Sequence, residues 1–109
     1  MGDIKMSTII IDSYMNISYP WKYPVFWIDA VNNPQFKTKI TVWHSGDRSN
    51  IWYTDSTKSE VKNAIENAIK YLKNEYEDGY WSFSYGGQAK FEKLLRKYGV
   101  KNIYAKDWI

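Results

Sequence analysis

The chain has 109 residues, a formal net charge of +3 and an apolar fraction of 44%. This length suits one domain with one core and excludes most large enzyme folds. Cysteine is absent, which excludes disulfides, thiol nucleophiles and thiolate metal sites and lets the chain fold in a reducing cytoplasm, where we expect it to reside.

The amino-terminal third of the chain predicts two strands. Residues 1–5 form a short preface, which we treat as flexible and separate from a single domain over residues 6–109. The β-branched run within residues 7–14 predicts a first strand, and residues 25–31 predict a second. Neither this region nor any other part of the chain has an apolar run of signal-peptide or membrane-span length, so we expect no membrane partner.

A hairpin follows, with strands predicted over residues 38–44 and 50–54. If Gly46 and Asp47 are its two loop residues, a type II′ turn results. Val42 then pairs with Ile51 on the core face, while Trp52 falls on the opposite face. The opposite face would carry two tryptophans among polar neighbours, which is typical of a covered or partner-binding surface.

Two helices come next. Apolar residues recur at helical spacing from Val61 to Leu72, which predicts a helix over 58–76 that begins with a capping box of Thr57 and Glu60. A second helix is predicted over 88–98 and ends at Gly99. A last strand is predicted over 101–105. Strands grouped ahead of helices favour an α+β domain with a mainly antiparallel sheet of four to five strands and both helices packed on one face.

Aromatic residues are the unusual feature of the composition: 6 Trp, 10 Tyr and 4 Phe make up 18% of the chain. A small domain has too little interior for all of these rings, and interface hot spots favour Trp and Tyr. Residues 80–85 alternate rings with serines and are typical of a stacking or docking surface. The candidate partner-binding residues are Trp43, Trp52, Tyr80, Trp81, Tyr85 and Trp108.

A second interpretation is single-stranded nucleic-acid binding. Rings next to lysines supply base stacking and phosphate contacts, and the predicted second helix carries one basic face. The candidate nucleic-acid-binding residues are Lys90, Lys93, Arg96 and Lys97.

Enzymatic function has little support in the sequence. His44 is the single histidine, which excludes multi-histidine metal sites, and strand alternation points it away from Ser45. We therefore predict no catalytic residue, no metal and no cofactor. A small nuclease-like enzyme that uses His44 with Arg48 is the remaining alternative.

The sequence therefore predicts a non-enzymatic binding protein that presents an aromatic surface with a lysine rim. The bias toward Lys, Ile, Tyr and Asn resembles that of many phage and mobile-element proteins. This resemblance implies an inhibitor that blocks a host protein or nucleoprotein. An exposed edge strand would also permit a homodimer.

Overall fold

Five strands and two helices make up the described part of the chain. The computed structural model describes residues 8–12, 25–44, 48–75 and 87–106. The elements in chain order are β1 (Ile9–Asp12), β2 (Val25–Ala30), β3 (Thr38–His44), β4 (Arg48–Thr54), α1 (Lys58–Glu75), α2 (Gly87–Lys97) and β5 (Tyr104–Ala105). The predicted α+β class is confirmed.

The strands form one antiparallel sheet in the order β1-β2-β3-β4-β5. The first four strands are neighbours both in sequence and in the sheet. β5 follows both helices in the sequence and pairs with β4 at the edge of the sheet. β1 lies within the strand predicted over 7–14, of which residues 7, 13 and 14 fall outside the described residues. β5 is shorter than the strand predicted over 101–105, and β4 begins two residues earlier than predicted.

Both helices pack on one face of the sheet, and the core lies between these two layers. The ring of Phe26 on β2 stacks on Phe91 of α2 with centroids 5.1 Å apart. Alternate strand residues face the apolar stripes of both helices, as strand and helix periodicity require. Buried strand and helix residues that form this core include Phe26, Ile28, Ile40, Val42, Trp52, Val61, Ile65, Leu72, Phe91 and Leu95.

Local sequence signals determine where the helices begin and end. The N–H of Thr57 donates to Glu60 Oε1 at 2.9 Å, and the N–H of Glu60 donates to Thr57 Oγ1 at 3.2 Å, which is the predicted capping box. At the end of α2, Gly99 adopts a φ of 104°, and its N–H donates to the carbonyl of Arg96. The N–H of Val100 donates to Leu95, which completes a Schellman motif.

The predicted hairpin register is wrong by one residue. His44 pairs with Arg48, so three residues rather than two lie between β3 and β4, and Ile40 pairs with Trp52. A shift of one residue exchanges the two faces of a strand. Trp52 is therefore fully buried in the core, and the proposal that its ring lies on a partner-binding surface is also wrong.

Buried hydroxyl groups attach the segment before β5 to the rest of the sheet. Thr54 Oγ1 donates to the carbonyl of Lys101, and the N–H of Lys101 donates to Ser56 Oγ at 2.9 Å. Thr38 Oγ1 donates to the carbonyl of Ser56 at 2.6 Å, which adds the start of β3 to the network. Because these three hydroxyl groups are buried and bonded, the network holds the chain where β5 can pair with β4.

Burial of Trp52 predicts a large loss of stability on truncation. Trp52→Ala should lower the free energy of unfolding by about 3–5 kcal/mol, because it removes a buried ring and leaves a cavity. Urea unfolding followed by far-UV circular dichroism measures the change. Tyr104→Ala on β5 is the control and should cost less than about 1 kcal/mol, since 57% of that residue is exposed. Equal losses in the two variants would contradict the register.

The capping box predicts a pH-dependent contribution from Glu60. The hydrogen bond from the Thr57 backbone lowers the pKa of Glu60 below its ordinary value of 4.5. Since the folded state holds the lower pKa, the ionised carboxylate stabilises the fold above the unfolded-state value, and this contribution disappears as the pH falls through the folded-state value. The difference in unfolding free energy between wild type and Glu60→Gln should therefore shrink from about pH 7 to about pH 3. A constant difference would contradict this assignment.

Candidate binding face

The face of the sheet opposite the helices brings apolar and charged side chains together. Side chains alternate along each strand, so the neighbours of core residues such as Phe26 and Trp52 belong to this second face. We call it the helix-free face. Its residues with described side chains, on the strands and just after β5, are Ile10, Val25, Trp27, Asp29, Lys39, Thr41, Ile51, Tyr53, Tyr104 and Lys106.

The helix-free face holds the two large hydrophobic side chains that are exposed among the described residues. Ile10 on β1 is 58% exposed and Tyr104 on β5 is 57% exposed. These strands are the two edges of the sheet, about 19 Å apart at the usual strand spacing. Exposed apolar side chains thus mark both ends of a face that neither helix covers.

An open groove of about 380 Å³ lies at the β5 end of this face. Its lining residues are Asn33, Phe36, Tyr53, Tyr104 and Lys106. The Phe36 ring stacks on Tyr104 with centroids 6.0 Å apart and lies 5.7 Å from Tyr53. We call this set of five residues the aromatic groove.

The β2–β3 loop holds Phe36 over the sheet. Asn33 Oδ1 accepts hydrogen bonds from the N–H groups of Gln35 at 2.7 Å and Phe36 at 3.2 Å. The N–H of Val31 donates to the carbonyl of Lys37, and the N–H of Lys37 donates to the carbonyl of Thr54 on β4. The loop is therefore bonded to itself and to β4, which fixes the backbone that carries Phe36.

The polar groups of the groove favour a negatively charged ligand. Lys106 supplies an ammonium group that forms no ion pair with the described residues, and none of the described residues that line the groove is a carboxylate. Asn33 uses its oxygen within the loop, which leaves its amide hydrogens as donors. Asp29, an acid on the same face whose side chain is described, already accepts a hydrogen bond from Thr8 Oγ1.

Most of the partner-binding residues suggested by the sequence lie outside the described residues: Tyr80, Trp81, Tyr85 and Trp108. The residues 1–5 preface lies outside them as well. Trp43 is described only through its backbone, which pairs with Val25 and Ser49. Together with the burial of Trp52, these observations leave the helix-free face as the aromatic surface that the structure itself describes.

Two of the basic residues on α2 contact groups within the domain. Arg96 forms an ion pair with Glu92 at 2.7 Å, and Glu92 also accepts a hydrogen bond from Trp52 Nε1 at 3.0 Å. Lys97 Nζ lies 5.0 Å from the ring centroid of Tyr71 and 5.6 Å from that of Tyr98. These contacts give Arg96 and Lys97 structural roles.

The other two basic residues differ in exposure. Lys90 is half-buried and also has an interaction within the protein, whereas Lys93 is exposed. The predicted basic face of α2 is therefore uneven, although nucleic-acid binding through it stays a prediction.

The register places His44 directly opposite Arg48 at the end of the β3–β4 hairpin. This pairing of backbone positions is all that the structure describes of the enzymatic alternative. Within the described ranges, no cluster of three His, Cys, Asp or Glu residues could hold a metal ion. Neither helix, over its described residues, is long and apolar enough to cross a membrane.

Comparisons with known proteins return no match: no family model fits the chain, and no curated protein or solved structure is significantly similar to it.

The sequence interpretation missed the aromatic groove for a specific reason. The predicted register placed Ile51 on the core face, and strand alternation then places Tyr53, two residues later, on that face as well. The sequence interpretation gave no role to Phe36 or Tyr104. A three-residue connection in the β3–β4 hairpin would have moved Tyr53 to the helix-free face. Tyr104, in the strand predicted after α2, would then have been a candidate neighbour for it.

The loop bonds predict that Asn33 stabilises the groove. Asn33→Ala removes the acceptor for two backbone N–H groups and should lower the free energy of unfolding by about 1 kcal/mol. Urea unfolding measures this change, and the ring resonances of Phe36 should broaden or shift as the loop loosens. Asn32→Ala is the matched control at an exposed neighbouring position and should stay within about 0.5 kcal/mol of wild type. An equal effect of both changes would show that Asn33 has no special role.

Proposed function

We propose that this chain is a non-enzymatic binding protein whose helix-free face recognises another protein. The observation that carries this proposal is the position of Ile10 and Tyr104, the exposed large hydrophobic side chains of the described residues, on that same face. Leaving such side chains in water forgoes the stabilisation that burial would give. A partner that covers the face would recover it.

The mixture of side chains on the face favours a protein partner over nucleic acid. Aliphatic side chains, Ile10 and Ile51, lie on it together with Trp27 and Tyr53, and protein interfaces combine such residues in an apolar centre with a polar rim. Single-stranded nucleic acid requires rings along a continuous basic path. Here Asp29 lies next to Lys39 in the register, so the basic path is interrupted.

The size of the face also limits the partner. Five strands at the usual spacing and about six residues of length give an area of roughly 20 by 20 Å, or about 400 Å². One partner of a standard interface contributes about 800 Å², so this face alone supplies about half of that. Such an area suits a short segment of a partner or a transient complex.

We propose here only that the helix-free face binds a protein. An inhibitory effect on a host protein or nucleoprotein, and an origin in a phage or mobile element, stay predictions from the composition. A homodimer through an edge strand and nucleic-acid binding become outcomes of the experiment below.

Photo-crosslinking tests the proposal directly. A photoreactive phenylalanine analogue replaces Ile10 or Tyr104 in two variants, and Lys70 on the exposed side of α1 in a matched control. Each variant is irradiated in extract of the organism that encodes the chain, in parallel samples with and without prior nuclease treatment. We expect both face positions to crosslink to one and the same protein, because they lie on one surface, and we expect the position on α1 not to do so.

Competition gives the second readout. An excess of unlabelled wild-type chain should suppress the crosslink, whereas an excess of a variant with Ile10→Asp and Tyr104→Ser should not. Equal crosslinking from all three positions would overturn the proposal. A crosslink to a second copy of the chain, or one that disappears after nuclease treatment, would replace it with self-association or nucleic-acid binding.

A further inference from the structure

We propose that the aromatic groove binds an acidic segment of the partner, with one apolar or aromatic side chain against Tyr104 and a neighbouring carboxylate on Lys106. This inference depends on the proposed function and specifies the partner's chemistry. It follows from the side chains of the groove and their charge.

Charge selects an acidic segment over a basic one. The described residues of the groove lining include one cation, Lys106, and no anion, and Asp29 on the same face accepts the hydroxyl hydrogen of Thr8. A carboxylate at the groove would meet the Lys106 ammonium group and the amide hydrogens of Asn33. A basic segment would meet the Lys106 ammonium group with no carboxylate among the described lining residues to offset the repulsion.

Ring geometry selects the apolar part of the ligand. Phe36 covers one face of Tyr104 at an interplanar angle of 20°, yet more than half of Tyr104 stays exposed. A planar or branched side chain can therefore extend the stack without displacing Phe36. A groove of about 380 Å³ has room for one such side chain with its adjoining backbone.

The position of the groove favours an extended segment. β5 is an edge strand of the sheet, and the N–H of Lys106 donates inward to the carbonyl of Ile51. Hydrogen-bonding groups alternate in direction along an antiparallel strand, so the peptide groups of Ala105 point toward the outer edge. A segment that approaches from this side can reach Tyr104 and Lys106 without crossing the sheet, as in β-strand addition.

Titrations with small peptide probes, followed by ¹⁵N–¹H NMR of the full chain, test the inference. The probes are acetyl-Glu-Phe-Glu-amide, its charge-reversed form acetyl-Lys-Phe-Lys-amide, and acetyl-Glu-Ala-Glu-amide, which lacks the ring. We expect saturable shifts of Phe36, Tyr53 and Tyr104 with the first probe at millimolar concentration, and weaker binding of the other two.

Substitutions test whether Lys106 causes the preference for acidic probes and whether Tyr104 causes the preference for phenylalanine. Lys106→Glu should weaken binding of the acidic probe by about tenfold and strengthen that of the lysine probe, because repulsion replaces attraction. Lys70→Glu on α1 makes the same charge change away from the groove and should alter neither. Tyr104→Ser should abolish the preference for phenylalanine over alanine, while Tyr104→Phe should retain it and so separate ring loss from damage to β5.

Three results would overturn the inference: shifts that map away from the groove, equal binding of the acidic and lysine probes, or saturable binding of oligothymidylate at the groove more tightly than the acidic probe. These results are distinct from failure of the proposed function. If a protein crosslinks from positions 10 and 104 and its binding is unchanged by Lys106→Glu, the proposed binding face stands. Only the acidic segment is then excluded.

Discussion

The pairing of Ile40 with Trp52 between β3 and β4 is the constraint on which the rest of the structure depends. It places Trp52 in the core, where its ring lies 6.3 Å from Phe91 and its Nε1 donates to Glu92. Because strand side chains alternate, the same pairing places Tyr53 on the helix-free face. One choice of register therefore determines both the burial of Trp52, the largest fully buried side chain among the described residues, and the position of Tyr53 in the aromatic groove.

The groove needs a second constraint, since Tyr104 is far from Tyr53 in sequence. Thr54 and Ser56 bind the backbone of Lys101 through their hydroxyl groups, and this contact brings the chain back to the edge of β4 after both helices. Tyr104 then pairs with Tyr53. The surface proposed for binding is thus assembled from residues that are joined by the buried hydroxyl network, so its geometry is coupled to the stability of the domain.

The parts of the fold that could be predicted from the sequence are those with local causes. The Thr57 capping box and the Gly99 stop lie within a few residues of the structures they determine, and both are present. The β3–β4 register depends on one additional residue in a loop, and neither face of β4 is clearly apolar by composition. One face carries Trp52 between Asn50 and Thr54, while the other carries Ile51 and Tyr53. Packing against α2 decides between them, and this information is nonlocal.

The distribution of rings refines the idea that a small aromatic-rich domain has a surplus for binding. The rings of Phe26, Trp52 and Phe91 are fully buried, so core packing alone explains their presence. Tyr104 is different, because a side chain that is 57% exposed on an edge strand adds little to folding and increases the risk of unwanted edge pairing. Core packing does not explain why Tyr104 is exposed. Ligand binding in the groove that Tyr104 forms with Phe36 and Lys106 does. Function is therefore better sought in the few rings that the sheet directs away from the helices than in the total aromatic content.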